Sequence, residues 1–515
     1  MTAKQGLAFA ALLGGVHALA LSVSGLWWLQ LLALAILSWM LFLPAPGREP
    51  PAPGAGARRA AFLGFAFGFS GFLVGVGWLF ISMHRYGDMP AVLAALALAL
   101  FCAYLALFPA MACVAGYRLA GHHPVAGAFG LAGAFTLAEW LRGELFTGFP
   151  WLSPGYAHTD GPFAAIAPWF GVYGVGAAAI LVAALVAQAV PIRQVRPKSS
   201  PLVCLSLAGA VMALAGLAHT VQWGSIVGKP LRVDLIQGNI AQDLKFDPRR
   251  SLAAMQGYIG AVEPGRADLV VMPETAWTVP WHQTPAPLAE QLRSRLGERT
   301  LAAIGMPLVS ASEPQRISNS MAVLNGRGDL VARYDKRHLV PFGEFIPSGF
   351  AWFVAMMKIP LGEFHRGATQ QPLLVLEGNR IGFNICYEDL FGSELAAQVR
   401  AGAHILVNTS NIAWFGDSHA LPQHLEISRM RALELARPML RATNTGVTAA
   451  IDHQGKVHAR LANHTVATLS VMVTPIAGLT PYSRFGDWPA VIVGLLLCTG
   501  AGLLGRHARR VPARP

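Results

Sequence analysis

A polytopic α-helical membrane protein carrying one large inserted α/β or layered α+β domain is the fold class this 515-residue sequence predicts. Three observations predict it. Hydrophobic residues make up 54% of the chain and charged residues only 13%, against about 25% charged in a typical soluble domain. Apolar runs of about 20 residues, long enough to cross a bilayer, recur along the chain. One long stretch, Gly224 to Asp487, lacks them and mixes strand-like with helix-like patterns.

The runs fall at Leu7 to Leu21, Leu26 to Leu43, Ala60 to Ser82, Ala91 to Tyr117, Pro124 to Leu141, Phe163 to Val190, Leu202 to Val221 and Trp488 to Leu504. About eight spans are therefore expected, the first two as a tight hairpin around Ser22 to Gly25. Ala18-Leu19-Ala20 imitates a signal-peptide cleavage site. With only Lys4 ahead of it and a second apolar run directly behind, an uncleaved first span is the expected form. Pro44 to Arg59, rich in Pro, Gly and Ala, reads as a flexible linker.

The formal charge of +12 raises the question of nucleic acid. Its location answers it. Residues 224–487 hold 25 Lys/Arg against 22 Asp/Glu, leaving 14 of the 39 basic and 5 of the 27 acidic residues for the rest. Most of the excess thus sits in short connections, as a topology signal does, and not on a phosphate-binding face. One set of connections carries twelve basic residues: Lys4, Arg48, Arg58, Arg59, Arg118, Arg193, Arg196, Lys198, Arg506, Arg509, Arg510 and Arg514. The other carries only Arg85 and Arg142 outside the long polar segment. The positive-inside rule then puts both termini in the cytoplasm. Residues 1–222 are the expected seven-span region, 223–487 an exported domain, and 488–515 the last span with a basic tail.

Within the polar segment, strands are expected at Arg232 to Ile236, Asp268 to Met272, Leu301 to Gly305, Ser320 to Leu324, Leu330 to Tyr334, Arg380 to Ile385 and His404 to Asn408. Helices are expected at Pro248 to Val262, Pro287 to Leu296 and Gln423 to Arg437, the last stopped by Pro438. Asn325-Gly326 marks a hairpin. About 260 residues suffice for one sizeable core.

Three residues fall just past expected strand ends: Glu274 in Met272-Pro273-Glu274-Thr275, Lys336 in Tyr334-Asp335-Lys336-Arg337, and Cys386 in Asn384-Ile385-Cys386-Tyr387. Each alone has an ordinary reading, as a capping glutamate, an exposed lysine or a core cysteine. Cys386 is, however, the only cysteine between Leu205 and Leu497, and an unpaired thiol in an oxidising compartment is a liability unless used. Together the three support acyl transfer through a thioester. A carboxylate takes the thiol proton, and an ammonium with the backbone N–H after the nucleophile stabilises the oxyanion. No Cys-x-x-Cys, His-Glu-x-x-His or glycine-rich phosphate loop is present, so neither metal, nucleotide nor other cofactor is expected. His404, His419 and His424 form no convincing serine triad.

The ordered Glu274, Lys336 and Cys386 resemble the catalytic triad of the nitrilase (carbon–nitrogen hydrolase) superfamily. The flanks are narrower. Lys336-Arg337-His338-Leu339-Val340-Pro341-Phe342-Gly343-Glu344-Phe345-Ile346-Pro347, Cys386-Tyr387-Glu388, Asn411-Ile412-Ala413-Trp414-Phe415-Gly416-Asp417-Ser418, Arg429 to Pro438 and Arg441 to Gly446 resemble the apolipoprotein N-acyltransferase family. So does the span plan. The resemblance implies an αββα nitrilase-like sandwich between the seventh and eighth spans, in a bacterial inner membrane, facing the periplasm. It implies transfer of an acyl chain from a phospholipid, typically phosphatidylethanolamine, through a Cys386 thioester to the N-terminal amine of an S-diacylglyceryl-cysteine apolipoprotein. Glu274 would be the general base, Lys336 the oxyanion stabiliser and Cys386 the nucleophile, with Glu344, Tyr387 and Glu388 in support.

Lipid substrates call for an apolar approach that excludes water. The connection Arg142 to Pro162, with Phe146, Phe149, Trp151 and Tyr156, is a candidate wall for it or an interfacial aromatic belt. Arg142 either meets a lipid phosphate or snorkels. Trp414-Phe415 reads as a lid, framed as loop by Asn411, Gly416 and Asp417, or as packed core. Phe246 stands where members of the family often have tryptophan, so an aromatic is kept. Two rivals remain: a membrane-anchored amidase or nitrilase using water as acceptor, and a non-catalytic membrane protein with a degenerate domain.

Overall fold

Long apolar helices build the first unit of the structure, a computed structural model that describes residues 2–42, 54–121, 123–190, 201–242, 248–310, 313, 316–349, 352 and 364–510. This unit comprises Met1–Gly77, Ala95–Gln222 and Phe485–Pro515. Among the described residues, six helical stretches are long and apolar enough to cross a membrane: Ala55–Gly75, Ala91–Ala120, Pro124–Thr147, Ala164–Ala189, Pro201–Ala218 and Trp488–Ala508. Two further helices, Ala3–Ala20 and Trp27–Phe42, stand where the first hairpin is expected. The second has 16 residues, about 24 Å at 1.5 Å per residue, against a hydrocarbon core of about 30 Å. The first carries Lys4, Gln5 and His17. Among the described residues, eight helices thus stand where the eight spans are expected, and six of them are long and apolar enough to cross a membrane.

Small residues let these helices approach closely. A Cβ at Gly14 would lie 2.0 Å from the Phe67 carbonyl oxygen, and Ser70 Oγ donates to Ala11 O at 2.5 Å. The third helix differs from expectation at both ends. It begins at Ala55, so Arg58 and Arg59 belong to its first turns and not to a flexible linker. Arg59 Nη2 donates to Met40 O at 2.8 Å. The rest of that linker, 43–53, and the basic connection 191–200 lie outside the described residues. The helix ends at Gly75, and the next apolar residues, Trp78 to Ile81, belong to the other unit. Hydropathy cannot distinguish apolar groups facing lipid from those packing on protein.

The second unit, Trp78–Ala94 with Trp223–Arg484, contains fourteen strands among its described residues. In chain order they are β1 (Ser225–Ile226), β2 (Leu231–Gln237), β3 (Leu269–Val271), β4 (Leu301–Val309), β5 (Ile317–Leu324), β6 (Leu330–Asp335), β7 (Leu374–Leu376), β8 (Asn379–Ile385), β9 (Ile405–Ser410), β10 (Met439–Thr443), β11 (Ala449–Ile451), β12 (Val457–Arg460), β13 (Ala467–Val473) and β14 (Ile476–Ala477). Two six-stranded sheets result, ordered β13-β2-β3-β4-β5-β6 and β12-β11-β10-β9-β8-β7, with a small β1–β14 pair. Each large sheet has three parallel strands at its centre, β2–β3–β4 and β8–β9–β10, and antiparallel strands outside them.

Alternation along the strands explains the layering. Leu231, Val233, Leu235, Leu269 and Val271 of one sheet and Ile381, Phe383, Ile385, Ile405 and Val407 of the other share one buried cluster. The intervening Ile236 and Val270 face outward and pack with helices Pro248–Gly260 and Ala286–Leu296 through Met255, Ile259, Leu292 and Leu296. Leu406 does the same with helices Gly392–Arg400 and Ala420–Leu435 through Leu395, Val399, Leu425 and Leu435. This is an αββα sandwich. The parallel strands run toward a common end of each sheet, and it is there that the chemistry collects.

Candidate active site

Glu274, Lys336 and Cys386 each leave a strand terminus and turn inward. Glu274 follows β3 by a Met272-Pro273 step, and Met272 N still donates to Ala303 O at 2.8 Å on neighbouring β4. The turn presses on β4 so closely that a Cβ at position 305 would meet Pro273 O at 2.4 Å and Glu274 Cα at 2.7 Å; glycine is required there. Lys336 follows β6, its backbone N–H donating to Asn319 O at 2.8 Å on β5. Cys386 follows β8 and adopts a left-handed φ of 52°, a conformation that L-residues disfavour and that surrounding contacts must enforce.

The charged groups interlock. Lys336 Nζ lies 3.2 Å from Glu274 Oε1 and 2.9 Å from Glu344 Oε1. Asn319 Nδ2 donates to the same two oxygens, at 2.8 and 2.7 Å. Glu274 Oε2 accepts from Asn411 N at 2.8 Å, and Glu344 Oε2 from Val340 N at 2.8 Å. All four side chains are buried. Burial opposes the charge on Lys336, but Glu274 and Glu344 outweigh it and hold the ammonium protonated far above neutrality. Cys386 lies close enough to feel them. Burial and then the Glu274 carboxylate push its thiol up to about 12, against the opposing pull of Lys336 and the Ser410 hydroxyl. At neutral pH the sulfur therefore keeps its proton and needs a base to remove it.

Glu388 ties two of these loops together. Its Oε1 accepts from Arg337 N at 2.7 Å and His338 N at 3.0 Å, beside Lys336. Its Oε2 accepts from Ile385 N at 2.7 Å, beside Cys386, and Tyr334 OH donates at 2.9 Å. Burial raises its carboxyl to about 7 in spite of those donors. Tyr387 is buried edge-on to Phe391, 5.3 Å between ring centres.

The remaining expected residues are placed differently. Arg142 is not open to a lipid phosphate. It is 1% exposed, paired with Glu139, and donates to the carbonyls of Phe149 and Trp151 and to Ser153 Oγ. Its donors are spent organising its own loop, so it neither snorkels nor presents itself. Trp151 and Tyr156 are likewise buried in that loop, whereas Phe146 is 82% exposed. Trp414 and Phe415 form a short 3₁₀ turn, Ile412–Phe415, and rest on the Trp78–Ala94 segment. Phe415 lies 4.2 Å from the Trp78 ring and Trp414 stands edge-on to Tyr86 at 5.9 Å. Phe246 lies outside the described residues.

Sequence reasoning missed an amide network around the carboxylates. Besides Asn319, it includes Asn411 and Asn444, whose Nδ2 donates to Asn411 Oδ1 at 2.9 Å, and Gln242, which accepts from Asn411 Nδ2 at 2.8 Å. The available signal was polar Ser318-Asn319-Ser320 inside an otherwise apolar strand. In such a strand, polar residues are retained when buried partners need them.

Comparison with known proteins follows the same division of the chain. Residues 13–185 match the model of the apolipoprotein N-acyltransferase N-terminal domain, and residues 232–477 that of the carbon–nitrogen hydrolases. An apolipoprotein N-acyltransferase of Ralstonia nicotianae is 46% identical over 508 residues, covering 97% of this chain and 93% of that one. One of Bordetella bronchiseptica is 40% identical over 541 residues, covering 96% of each. Among solved structures, an amidase from Nesterenkonia sp. is 20% identical over 51% of this chain and 95% of its own, with a TM-score of 0.36.

Proposed function

Because this chain belongs to the apolipoprotein N-acyltransferase family, with a carbon–nitrogen hydrolase domain, we propose that it moves an acyl chain from a membrane phospholipid to an apolipoprotein. The observation that carries the reading is the meeting of Cys386 with Lys336 and Glu274, in a chain whose described residues include six helices suited to crossing a membrane.

In the first half-reaction Glu274 takes the proton of the Cys386 thiol as sulfur attacks the ester carbonyl of a phospholipid, phosphatidylethanolamine in our reading. The oxyanion is met by Lys336 Nζ and the N–H of Tyr387. Collapse breaks the C–O bond, and the leaving lysophospholipid oxygen takes the proton from Glu274. In the second half-reaction the α-amine of S-diacylglyceryl-cysteine attacks the thioester. Its proton passes to Glu274 and on to the departing sulfur, leaving an amide. Glu344 and Asn319 hold Lys336 and Glu274 in register, and Glu388 keeps the two loops together. A thiol pushed up to about 12 favours this general-base route over a standing thiolate, and a resting thiol limits wasteful attack between turnovers.

The protein is a multi-pass membrane protein of an enzyme family acting on lipoproteins. We place it in the bacterial inner membrane, as the family resemblance implies, with both termini in the cytoplasm on the twelve-to-two distribution of basic residues and the catalytic unit in the periplasm by the parity of eight expected spans. The test is intact-mass analysis after exposure to phosphatidylethanolamine vesicles. An acyl adduct on Cys386 is expected, absent in Cys386→Ala, that a diacylglyceryl-cysteine peptide discharges as an N-acyl product. No adduct, or discharge only to free fatty acid, overturns the proposal.

A further inference from the structure

Behind Cys386 lies a second buried charged cluster that the acyl-transfer steps do not use. Asp389, three residues on in the 3₁₀ turn Cys386–Leu390, is 0% exposed. Its Oδ1 meets His424 Nε2 at 2.9 Å, and its Oδ2 accepts from Ser428 Oγ at 2.5 Å and Arg441 Nη1 at 3.0 Å. Arg441 also donates to Ser428 Oγ. His424 and Ser428 stand one turn apart on helix Ala420–Leu435, and Arg441 lies in β10. His424, Ser428 and Arg441 are at most 1% exposed.

This cluster reaches the nucleophile through its backbone. The Cys386 carbonyl accepts from Asn408 Nδ2 at 3.1 Å, and Asp389, which the cluster holds, belongs to the same 3₁₀ turn as Cys386. The next residues are pinned as well. Glu388 is held by four donors, Asp389 by the cluster, and the Leu390 carbonyl by Arg431 Nη1 at 3.0 Å. Asp389 keeps its charge: burial opposes it, but His424 and Arg441 outweigh burial and hold it below the ordinary carboxylate range. Buried ion pairs add little to stability compared with apolar packing, and helix Ala420–Leu435 already packs through Leu425, Ala432 and Leu435. The left-handed φ of 52° at Cys386, in contrast, needs an enforcing environment.

We propose that Asp389, His424 and Arg441 are positioning residues that fix the Cys386 elbow so that its sulfur meets the acyl carbonyl. The proposal rests on Cys386 being the nucleophile. Its test uses the full-length protein in detergent, with phosphatidylethanolamine vesicles as donor and the Cys386 acyl adduct read by mass. His424→Gln keeps an amide at the Nε2 position, and so a contact with Asp389, while removing the rigid imidazole ring that fixes where Asp389 and its turn sit. Misplacement by a fraction of an ångström to an ångström costs about tenfold to a hundredfold in rate. The expected result is a loss of that size in the maximal acylation rate, with KM for the phospholipid unchanged and the melting temperature kept. Arg441→Lys, which keeps the charge but not the planar fork, should show the same split to a smaller degree. Wild-type acylation rates per folded molecule in both variants, or losses carried by KM or by unfolded protein, overturn the proposal. If wild-type protein forms no adduct, the nucleophile assignment itself falls, and this proposal with it.

Discussion

Two buried charged clusters flank Cys386, and they are built on opposite principles. One sets two carboxylates, Glu274 and Glu344, against a single ammonium, Lys336, with Asn319 spanning both. The other sets one carboxylate, Asp389, against one guanidinium, Arg441; its histidine is kept toward the neutral form by burial, which outweighs the pull of Asp389. The first is formally one negative charge in excess, the second balanced. An excess carboxylate in a buried site is a place to put a proton. A balanced cluster whose carboxylate is held by three side chains suits the positioning role proposed for it. On the proposed mechanism, buried charge near Cys386 divides into groups that react and groups that hold.

The largest way to break the comparison is to remove the one cation of the acid-rich cluster. Lys336→Met leaves Glu274 and Glu344 facing each other with only Asn319 between them. Stranding buried charge costs about 3–5 kcal/mol, and the oxyanion loses its charged partner. We expect a matching drop in unfolding free energy and no Cys386 adduct. Adding Glu344→Gln to Lys336→Met should return part of the stability and none of the activity. Unchanged stability in the single variant would mean the carboxylates are not both charged.

The next prediction separates charge from catalysis. The negative charge of Glu274 is the largest influence after burial that raises the Cys386 thiol. Removing it in Glu274→Gln lowers that pKa, so the thiolate fraction at pH 8 rises and iodoacetamide labels Cys386 faster than in wild type. The same variant should be inactive in acyl transfer for want of a base. Slower labelling would sink the assignment of Glu274 as the neighbour that holds the proton on sulfur.

A smaller effect is expected at Glu388, which spans the two loops and titrates. Its carboxyl stands at about 7 in the folded protein against an ordinary value of 4.5. A raised carboxyl contributes stability that is fully present below pH 4.5 and is lost as pH rises through 7. The span corresponds to about 3 kcal/mol at most. Glu388→Gln loses acceptors at every pH but lacks this slope, so the gap between wild type and variant should narrow from pH 4.5 to pH 8. Parallel stability curves would sink the prediction.

Much of this architecture is legible in the sequence because it rests on alternation. Val233 and Leu235 in β2, or Ile381 and Phe383 in β8, face one core and announce strands. β1, β7 and β10 to β14 were not anticipated. Arg441 and Thr443 sit inside β10 yet are buried, since Arg441 is met by Asp389 from the Cys386–Leu390 turn and Ser428 from a helix, and Thr443 by Thr448 across the following turn. The site divides in the same way. Glu274, Lys336 and Cys386 stand out as reactive types at strand ends, whereas Asn319 and His424 matter only through what they touch. Arg142 shows the reverse error: a charge near a span end suggests solvent, but Glu139 and two loop carbonyls enclose it.

The smallest predicted effect lies where the two clusters share a support. Trp78 Nε1 donates to Gln423 Oε1 at 3.2 Å, next to His424, and its ring packs on Phe415 at 4.2 Å. Phe415 closes the turn that begins beside Asn411, whose N–H holds Glu274. One side chain thus leans on the helix of the balanced cluster and on the turn of the acid-rich one. Trp78→Phe keeps an aromatic ring and removes one hydrogen bond, worth about 0.5–1.5 kcal/mol. We expect a stability loss of that size. Neither cluster loses a charge or a direct partner, so acylation should fall by no more than about threefold, under 1 kcal/mol of barrier. A loss of tenfold or more at unchanged stability would show that the two clusters are not independent, and that the support they share sets the geometry of both.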